Sequence, residues 1–560
     1  MYPLSESPGP LQDLSGIWQF AYRPGTLEDL SISSLEYDSY APVPGCWDLL
    51  PDCRMKRGTG IYRRKVYAGG MTELCCEALG LRGEFYWDGV RIGISDTPFT
   101  SERIRFNAGS CGEHELVIAV NNVFDTVPGS PFKPNYDFYA HGGIYRKVTI
   151  APAEEFYPEY IKVLPLDPEK GRVEVRLSFL GSTTALSSGE IFFDNSTTGL
   201  PIELKEGKGS GHFTVPFPRV WSPETPELHK LTLKLNGHHF TTRFGLRTIE
   251  TQAGKIFLNG QELKVAGINR HDCHPDFGYA IPDAIRLSDL LMLKQQGFNC
   301  IRGCHYPQSE DFLTMCDTMG FLVWEESLAW GNKEEDLADP LFRKMQLRQT
   351  EKMVHKSFNH PSVIMWGFLN ECHSNTAAGR ELISDLAAML HAQDPTRPVT
   401  FGTKFGKKDI CLDLVDIISF NTYPCWYGGS DEQFLDKEYL HSHLQELAEF
   451  ASSPQYRDKP LIISEIGAEG LPGDHSGMRW SEDYQSELLC EALRHCLTSE
   501  RFCGTFLWQF CDTRTYISNS CQARTGGFNH KGIVDGSRNK KLAFNAAGQT
   551  IRACLSGKGR

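Results

Sequence analysis

No apolar run in this chain reaches the roughly 18 residues that a membrane-spanning helix needs, so a helical membrane protein is excluded. The opening stretch, MYPLSESPGPLQDLSG, has neither a basic nor an apolar segment, and no secretory leader is expected in it. Positive charge is in deficit. With 57 Lys and Arg against 70 Asp and Glu the net charge is -13, which argues against a nucleic-acid partner, since that would select a basic face. Eighteen cysteines in 560 residues are too dilute for a disulfide scaffold, and no CxxC pair occurs; reduced thiols in a cytoplasmic protein are expected. The glycine run Gly207-Lys208-Gly209-Ser210-Gly211 follows no strand-to-helix pattern, so it reads as a turn and not a phosphate loop. His271-Asp272-Cys273-His274 contains ligand types but matches no closed zinc spacing, so neither a metal nor a cofactor is expected.

What is present is a chain long enough for two to four domains. Up to about residue 152, short β-like runs such as Gly16-Ile17-Trp18-Gln19-Phe20 and Glu115-Leu116-Val117-Ile118-Ala119-Val120 alternate with Gly, Pro and Asn, which suggests a jelly-roll sandwich over 1–152. Residues 153–247 hold more alternating strands, including Arg172-Val173-Glu174-Val175-Arg176-Leu177, in a length that suits an immunoglobulin-like sandwich.

From 248 to 560 the periodicity changes, and apolar strands alternate with amphipathic helices. Eight strands can be counted: Val265–Asn269, Asn299–Gly303, Phe321–Glu325, Val363–Glu371, Val399–Thr403, Asp416–Tyr423, Leu461–Gly467 and Gly504–Phe510. Ser309 and Ser481 are placed to cap helices with apolar faces, and Gly320 to stop the first of them. Eight strand–helix units predict a (β/α)8 barrel, whose chemistry sits at the C-terminal ends of its strands.

Those ends carry Asn269-Arg270-His271-Asp272, Glu325-Glu326, Asn370-Glu371, Asn421-Thr422-Tyr423, Ser464-Glu465 and Trp508-Gln509-Phe510. Amides and carboxylates suit sugar hydroxyls, and aromatic rings suit the C–H faces of a sugar. Carboxylates on the fourth and seventh strands would face each other across the barrel, as glycoside hydrolysis requires. Glu325 and Glu326 compete for the acid role but lack a preceding Asn, so they are read as supporting residues.

The run NHPSVIMWGFLNE resembles the acid/base signature of glycoside hydrolase family 2, and LIISEIGAEG resembles its nucleophile strand. The order of jelly roll, immunoglobulin-like domain and barrel is also that family's, so the resemblance spans essentially the whole chain. It implies Glu371 as acid/base and Glu465 as nucleophile, with Asn370 holding the sugar near C2. The family includes β-galactosidases, β-mannosidases and β-glucuronidases. Thr525-Gly526-Gly527-Phe528-Asn529-His530-Lys531-Gly532 is similar to the Asn-x-Lys motif with which β-glucuronidases hold the C6 carboxylate, a charge that an ammonium and an amide can bind by charge-assisted hydrogen bonds.

The same resemblance implies substrate contacts from Asp137, His271, Tyr423, Tyr427, Trp508 and Arg524, the last separated from the motif by one extra residue, Phe528. The implied activity is retaining exo-hydrolysis of a β-D-glucuronide to D-glucuronate and an alcohol. β-Galactosidase and β-galacturonidase are the alternatives within the family, and a non-hydrolytic carbohydrate-binding protein is the alternative outside it. The expected partner is a small-molecule β-glucuronide or a glucuronide-terminated oligosaccharide, with no nucleic acid and no membrane, and a homodimer or homotetramer is expected.

Overall fold

The computed structural model describes residues 4–5, 11–29, 32, 35–124, 129–130, 132–133, 136–427, 433–515 and 524–556; most of the opening stretch read for a leader lies outside them. Strand alternation builds the first layer pair. In Met71–Cys76 every second side chain is buried, so one face is committed to a core. A six-stranded antiparallel sheet containing Gly16–Arg23, Thr59–Ala68 and Gly112–Asn121 stacks on a four-stranded sheet containing Met71–Cys76 and Val148–Pro152. Trp18, Trp47, Tyr62, Phe85 and Ile118 fill the space between.

A second sandwich follows. Phe156–Asp167, Arg172–Gly181 and Lys208–Thr214 form one sheet, and His229–Leu235 and His238–Phe244 lie in the other. Leu4–Ser5 pairs antiparallel with Phe240 and Thr241, so the N-terminus edges this sheet rather than the first sandwich. The glycine run is not all turn: Glu206 and Gly207 take positive φ, and Lys208 onward is strand. Glycines without side chains to pack still complete the ladder opposite Arg172–Ser178.

The C-terminal part is the (β/α)8 barrel of the sequence reading. Its parallel strands are Val265–Asn269, Cys300–Gly303, Leu322–Glu326, Val363–Gly367, a fifth split into Val399–Thr400 and Gly402–Thr403, then Ile418–Asn421, Leu461–Ile466 and Phe502–Leu507. Below them Ile249, Ile256 and Leu258 of a short antiparallel sheet pack on Val265, Cys300, Leu322 and Ile462 at the strand starts. That plug closes the bottom and leaves the C-terminal ends as the accessible mouth.

Ser309 caps Glu310–Met319 by accepting from the Phe312 N–H, and Gly320 stops it at φ 71°. Ser481 caps Glu482–Thr498 in the same way.

Two details depart from expectation. The fourth strand ends at Gly367, not Glu371, because Leu369 and Glu371 adopt left-handed φ of 48° and 53° that a strand cannot contain. The fifth unit has no α-helix; the short link from Thr403 to Ile418 makes only a 3-10 turn, Gly406–Lys408. Among the described residues no helix is long and apolar enough to cross a membrane.

Candidate active site

One guanidinium organises the barrel centre. Arg302, on the second strand and fully buried, donates to Glu326 Oε1 at 2.7 Å, Glu465 Oε1 at 2.7 Å, Asn269 Oδ1 at 3.1 Å and Asn370 Oδ1 at 2.7 Å. A buried cation is tolerated only when its donors are satisfied, and these bonds join the first, second, third and seventh strands to the Asn370 segment.

Glu465 projects from the seventh strand, 3% exposed. Tyr423 Oη donates to its Oε2 at 2.6 Å. Burial pushes the Glu465 carboxyl up to about 8 against the pull of Arg302; nearby Glu371 pushes the same way and the Tyr423 hydroxyl pulls back.

Glu371 sits on the loop beyond the fourth strand. Its left-handed backbone, and that of Leu369, each cost about 1–3 kcal/mol, strain of a kind that concentrates at functional sites. The Glu371 N–H bonds Gly402 O, Asn421 Nδ2 donates to Glu371 Oε1 at 3.0 Å, and Lys404 Nζ lies 3.7 Å from Oε2. Asn421 also donates to Asn370 Oδ1 and accepts from Ser464 Oγ, so one amide sets the geometry of both carboxylate segments.

One wall is aromatic. Trp508 stacks on His305 at 5.3 Å and meets His271 edge-on at 5.6 Å. Burial holds both histidines well below their ordinary pKa, so both are neutral. His305 donates from Nδ1 to Glu326 Oε2 at 2.9 Å, which leaves Nε2 as the acceptor facing Asn370 Nδ2. His271 Nε2 is buried with no hydrogen-bond partner among the described residues. His271, Cys304 and His305 bring donor atoms within 4.8 Å of one another, but burial pushes the Cys304 thiol well up, which disfavours the thiolate a metal would take. Asp272 is engaged elsewhere, paired with Arg270 at 3.0 Å and Arg286 at 2.9 Å.

A second charged cluster lies beyond the Tyr423–Tyr427 ring pair, whose centroids are 5.1 Å apart. Lys531, fully buried, donates to Tyr427 Oη at 2.8 Å and Glu469 Oε1 at 3.2 Å. Arg524 donates to Glu469, to Asp137 Oδ2 at 2.7 Å and to Tyr427 Oη at 3.3 Å. Asn529 Nδ2 donates to the same Asp137 oxygen at 3.3 Å. Burial works against the Glu469 carboxylate, but Lys531, Arg524 and the His530 N–H together hold its pKa below the usual range. Asp137 moves the other way: burial raises it despite Arg524 and Lys531, and its Oδ1 has no hydrogen-bond partner among the described residues. Phe528, the extra residue, pairs with Arg514 and lies under that guanidinium, so Asn529 keeps its register opposite Thr513.

A family profile described as "Glycosyl hydrolases family 2, TIM barrel domain" matches residues 249–552, and "Glycosyl hydrolases family 2" matches residues 167–247. The chain belongs to glycosyl hydrolase family 2. The β-glucuronidase of Streptococcus agalactiae is 26% identical over 97% of this chain and 96% of its own length. That of Sus scrofa is 28% identical over 73% of this chain; the match spans 64% of the pig protein. The crystal structure of the family 2 β-galacturonidase from Eisenbergiella tayi bound to galacturonate superposes with a TM-score of 0.89 at 32% identity, covering 97% of each chain.

In this family 2 chain the eleven residues singled out from sequence fall into one connected site. Glu371, Asn370, Glu465 and Tyr423 gather at one end, Tyr427, Lys531, Asn529, Arg524 and Asp137 at the other, and Trp508 and His271 pack on each other beside His305. Arg302, His305, Asn421 and Glu469 were not singled out. Glu469 stood within LIISEIGAEG and Asn421 among the strand-end amides, so a signal existed for both. Arg302 had none, because a lone arginine in Cys300-Ile301-Arg302-Gly303 carries no periodicity. Glu326 has the supporting place expected of it, orienting Arg302 and His305.

Proposed function

We propose that this chain is a retaining exo-β-D-glucuronidase, releasing D-glucuronate and an aglycone alcohol. The observation that carries the reading is the two-ended site: a carboxyl pair at one end, and at the other a lysine, an arginine and an amide gathered where a C6 carboxylate would bind. The β-glucuronidase relatives support the same glycone.

In the first step Glu465 attacks the anomeric carbon while Glu371 gives its proton to the glycosidic oxygen. The C1–O bond to the aglycone breaks, a C1–O bond to Glu465 forms, and the alcohol leaves with the proton. Arg302 and the Tyr423 hydroxyl donate to Glu465 and favour its negative charge, against the burial that opposes it. In the second step Glu371 takes a proton from water, whose oxygen displaces Glu465 from C1. Two inversions give net retention. Asn370 and Asn421 position the sugar and Glu371, and Trp508 and His271 cover the ring.

One observation favours a second glycone, galacturonate: the structure 32% identical to this chain is that of a β-galacturonidase. Glucuronate and galacturonate share the C6 carboxylate and differ at C4, so the Lys531–Arg524 end serves either. A neutral galactoside would leave both buried cations without a substrate anion, and a purely binding role would leave the paired glutamates without work. Assay of 4-nitrophenyl β-glucuronide, β-galacturonide and β-galactoside is expected to give turnover of a uronide, fastest for the glucuronide, with the β-anomer of the sugar formed first by NMR. Turnover confined to the galactoside, or none at all, would overturn the reading.

We also propose a cytoplasmic location, supported by the free thiols of the described cysteines, and a homodimer or homotetramer, which light scattering of the purified protein would test.

A further inference from the structure

The fifth barrel unit, the one without a helix, brings a basic segment to the mouth. After Thr403 the chain runs Lys404-Phe405-Gly406-Lys407-Lys408, with Gly406 at φ 54° turning it back along the rim. Lys407 pairs with Glu446, whereas Lys408 is exposed and has no carboxylate partner among the described residues. Lys404 is 42% exposed, and its one carboxylate partner among those residues is Glu371, at 3.7 Å. Its ammonium lies 5.8 Å from the Trp330 ring and 5.9 Å from the Phe405 ring. Phe405 in turn meets His373 edge-on at 5.7 Å, and Trp330 bridges to Asn370 through backbone. Aromatic rings beside an unshared ammonium are therefore grouped around one face of the acid/base carboxyl, on a chain whose net charge is -13.

The direction of the substrate fixes what meets that face. With the C6 carboxylate at Lys531 and the anomeric carbon between Glu465 and Glu371, the glycosidic oxygen lies against Glu371. The leaving group then continues outward past Glu371, over Trp330 and Phe405. Lys404 differs from the cations of the uronate end. Lys531 and Arg524 share Glu469, and Arg524 also has Asp137, before any substrate arrives. Among the described residues Lys404 has Glu371 alone, and Glu371 must carry a proton to act as the acid. In the reactive state Lys404 is thus left without its counter-ion.

We propose that Lys404, Trp330 and Phe405 form a leaving-group subsite that selects aglycones bearing a negative charge on or next to a ring. The subsite rests on the uronidase reading. The charge on the leaving group replaces that of Glu371 while Glu371 is protonated. When Glu371 gives its proton to the glycosidic oxygen and the C1–O bond breaks, Glu371 becomes an anion again. It then reclaims Lys404 and repels the departing anion, so the same contact that favours binding gives way on cleavage.

The test uses matched pairs of 4-(carboxymethyl)phenyl and 4-(carbamoylmethyl)phenyl β-uronides, prepared as both glucuronides and galacturonides. The methylene insulates the phenolic oxygen, so the members of a pair differ in charge and little in leaving ability. For a half-exposed ion pair, kcat/KM for the acid is expected to exceed that for the amide by about 5-fold at low salt. The ratio is expected to decline in about 1 M salt, where screening is strong. Lys404→Met brings it close to one, Lys404→Glu inverts it, and Lys404→Arg preserves it. Because the readout is a ratio within one preparation, a general loss of activity in a variant cancels. A wild-type ratio near one, or a ratio unchanged in Lys404→Met, overturns the subsite alone. Turnover of none of the four uronides overturns the uronidase reading and the subsite with it.

Discussion

The two ends of the site are built differently. At the reacting end Glu465 stands on a barrel strand, and Arg302 locks it to Glu326, Asn269 and Asn370, all nearly fully buried. At the other end, where the uronate is proposed to bind, Asp137 comes from a loop of the first sandwich, Tyr427 from beyond the sixth strand, and Arg524, Asn529 and Lys531 from the segment after the eighth. The nucleophile proposed here is thus held by a barrel strand, whereas Glu371 and the whole of the second cluster stand on connecting segments, the latter meeting through charge. A barrel can change its sugar at the second end without disturbing the first.

Substitutions at the two ends are expected to differ in severity, and the largest effect falls at the reacting end. Glu465→Gln removes the nucleophile but keeps its shape, so kcat on a uronide falls by about 10⁴-fold or more while the substrate still binds, as steady-state kinetics and calorimetry would read. Lys531→Ala leaves Glu469 short of a cation and the substrate carboxylate short of a donor. Truncating one partner of a buried charge pair costs about 2–5 kcal/mol, so kcat/KM on the uronide drops by about 30-fold or more, while any residual rate on a galactoside changes little. Equal loss on both sugars would show that Lys531 serves the fold and not the glycone.

Glu469→Ala probes how the second end is assembled. Lys531 and Arg524 lose the anion that holds them at one spacing, so KM for the uronide rises about tenfold with a smaller change in kcat. An unchanged KM would mean that Asp137 suffices.

The smallest effect is on stability. The Glu465 carboxyl rises from an ordinary 4.5 to about 8 on burial, so the folded chain binds this proton more tightly than the unfolded one. The stability it contributes is present below about pH 4.5 and is lost as pH rises toward 8. Glu465→Gln, which cannot ionise, is expected to melt close to wild type at pH 5 and a few degrees higher at pH 8. A melting difference that shrinks with rising pH would contradict this.

The sequence made the rigid end easier to read than the assembled one. Apolar runs ending in Asn370-Glu371 and Ser464-Glu465 betray barrel strands, because a carboxylate at the end of such a run needs either the mouth or a buried partner such as Arg302. Asn529 and Lys531 were recognisable only through resemblance, since a lysine in a glycine-rich segment has no local signature. Arg302 was not legible: its partners Glu326 and Glu465 lie 24 and 163 residues away, and only barrel closure brings them together. Nor was the left-handed exit through Leu369 and Glu371, where tertiary contacts such as the Glu371 N–H to Gly402 O bond override the propensity of a hydrophobic run. The missing fifth helix was not legible either, because the link from Thr403 to Ile418 is long enough for a short crossover helix and makes a single 3-10 turn instead.

The central claim, that Glu465 attacks a uronate held from the far end by Lys531 and Arg524, is tested most directly by covalent trapping. Incubation with a 2-deoxy-2-fluoro-β-D-glucuronyl fluoride slows both steps and lets the glycosyl-enzyme accumulate; proteolysis and mass spectrometry then locate the adduct. The account predicts one fluorosugar per chain, attached to Glu465. Attachment to Glu371, or turnover of the natural-type uronide with inversion and no adduct, would contradict it.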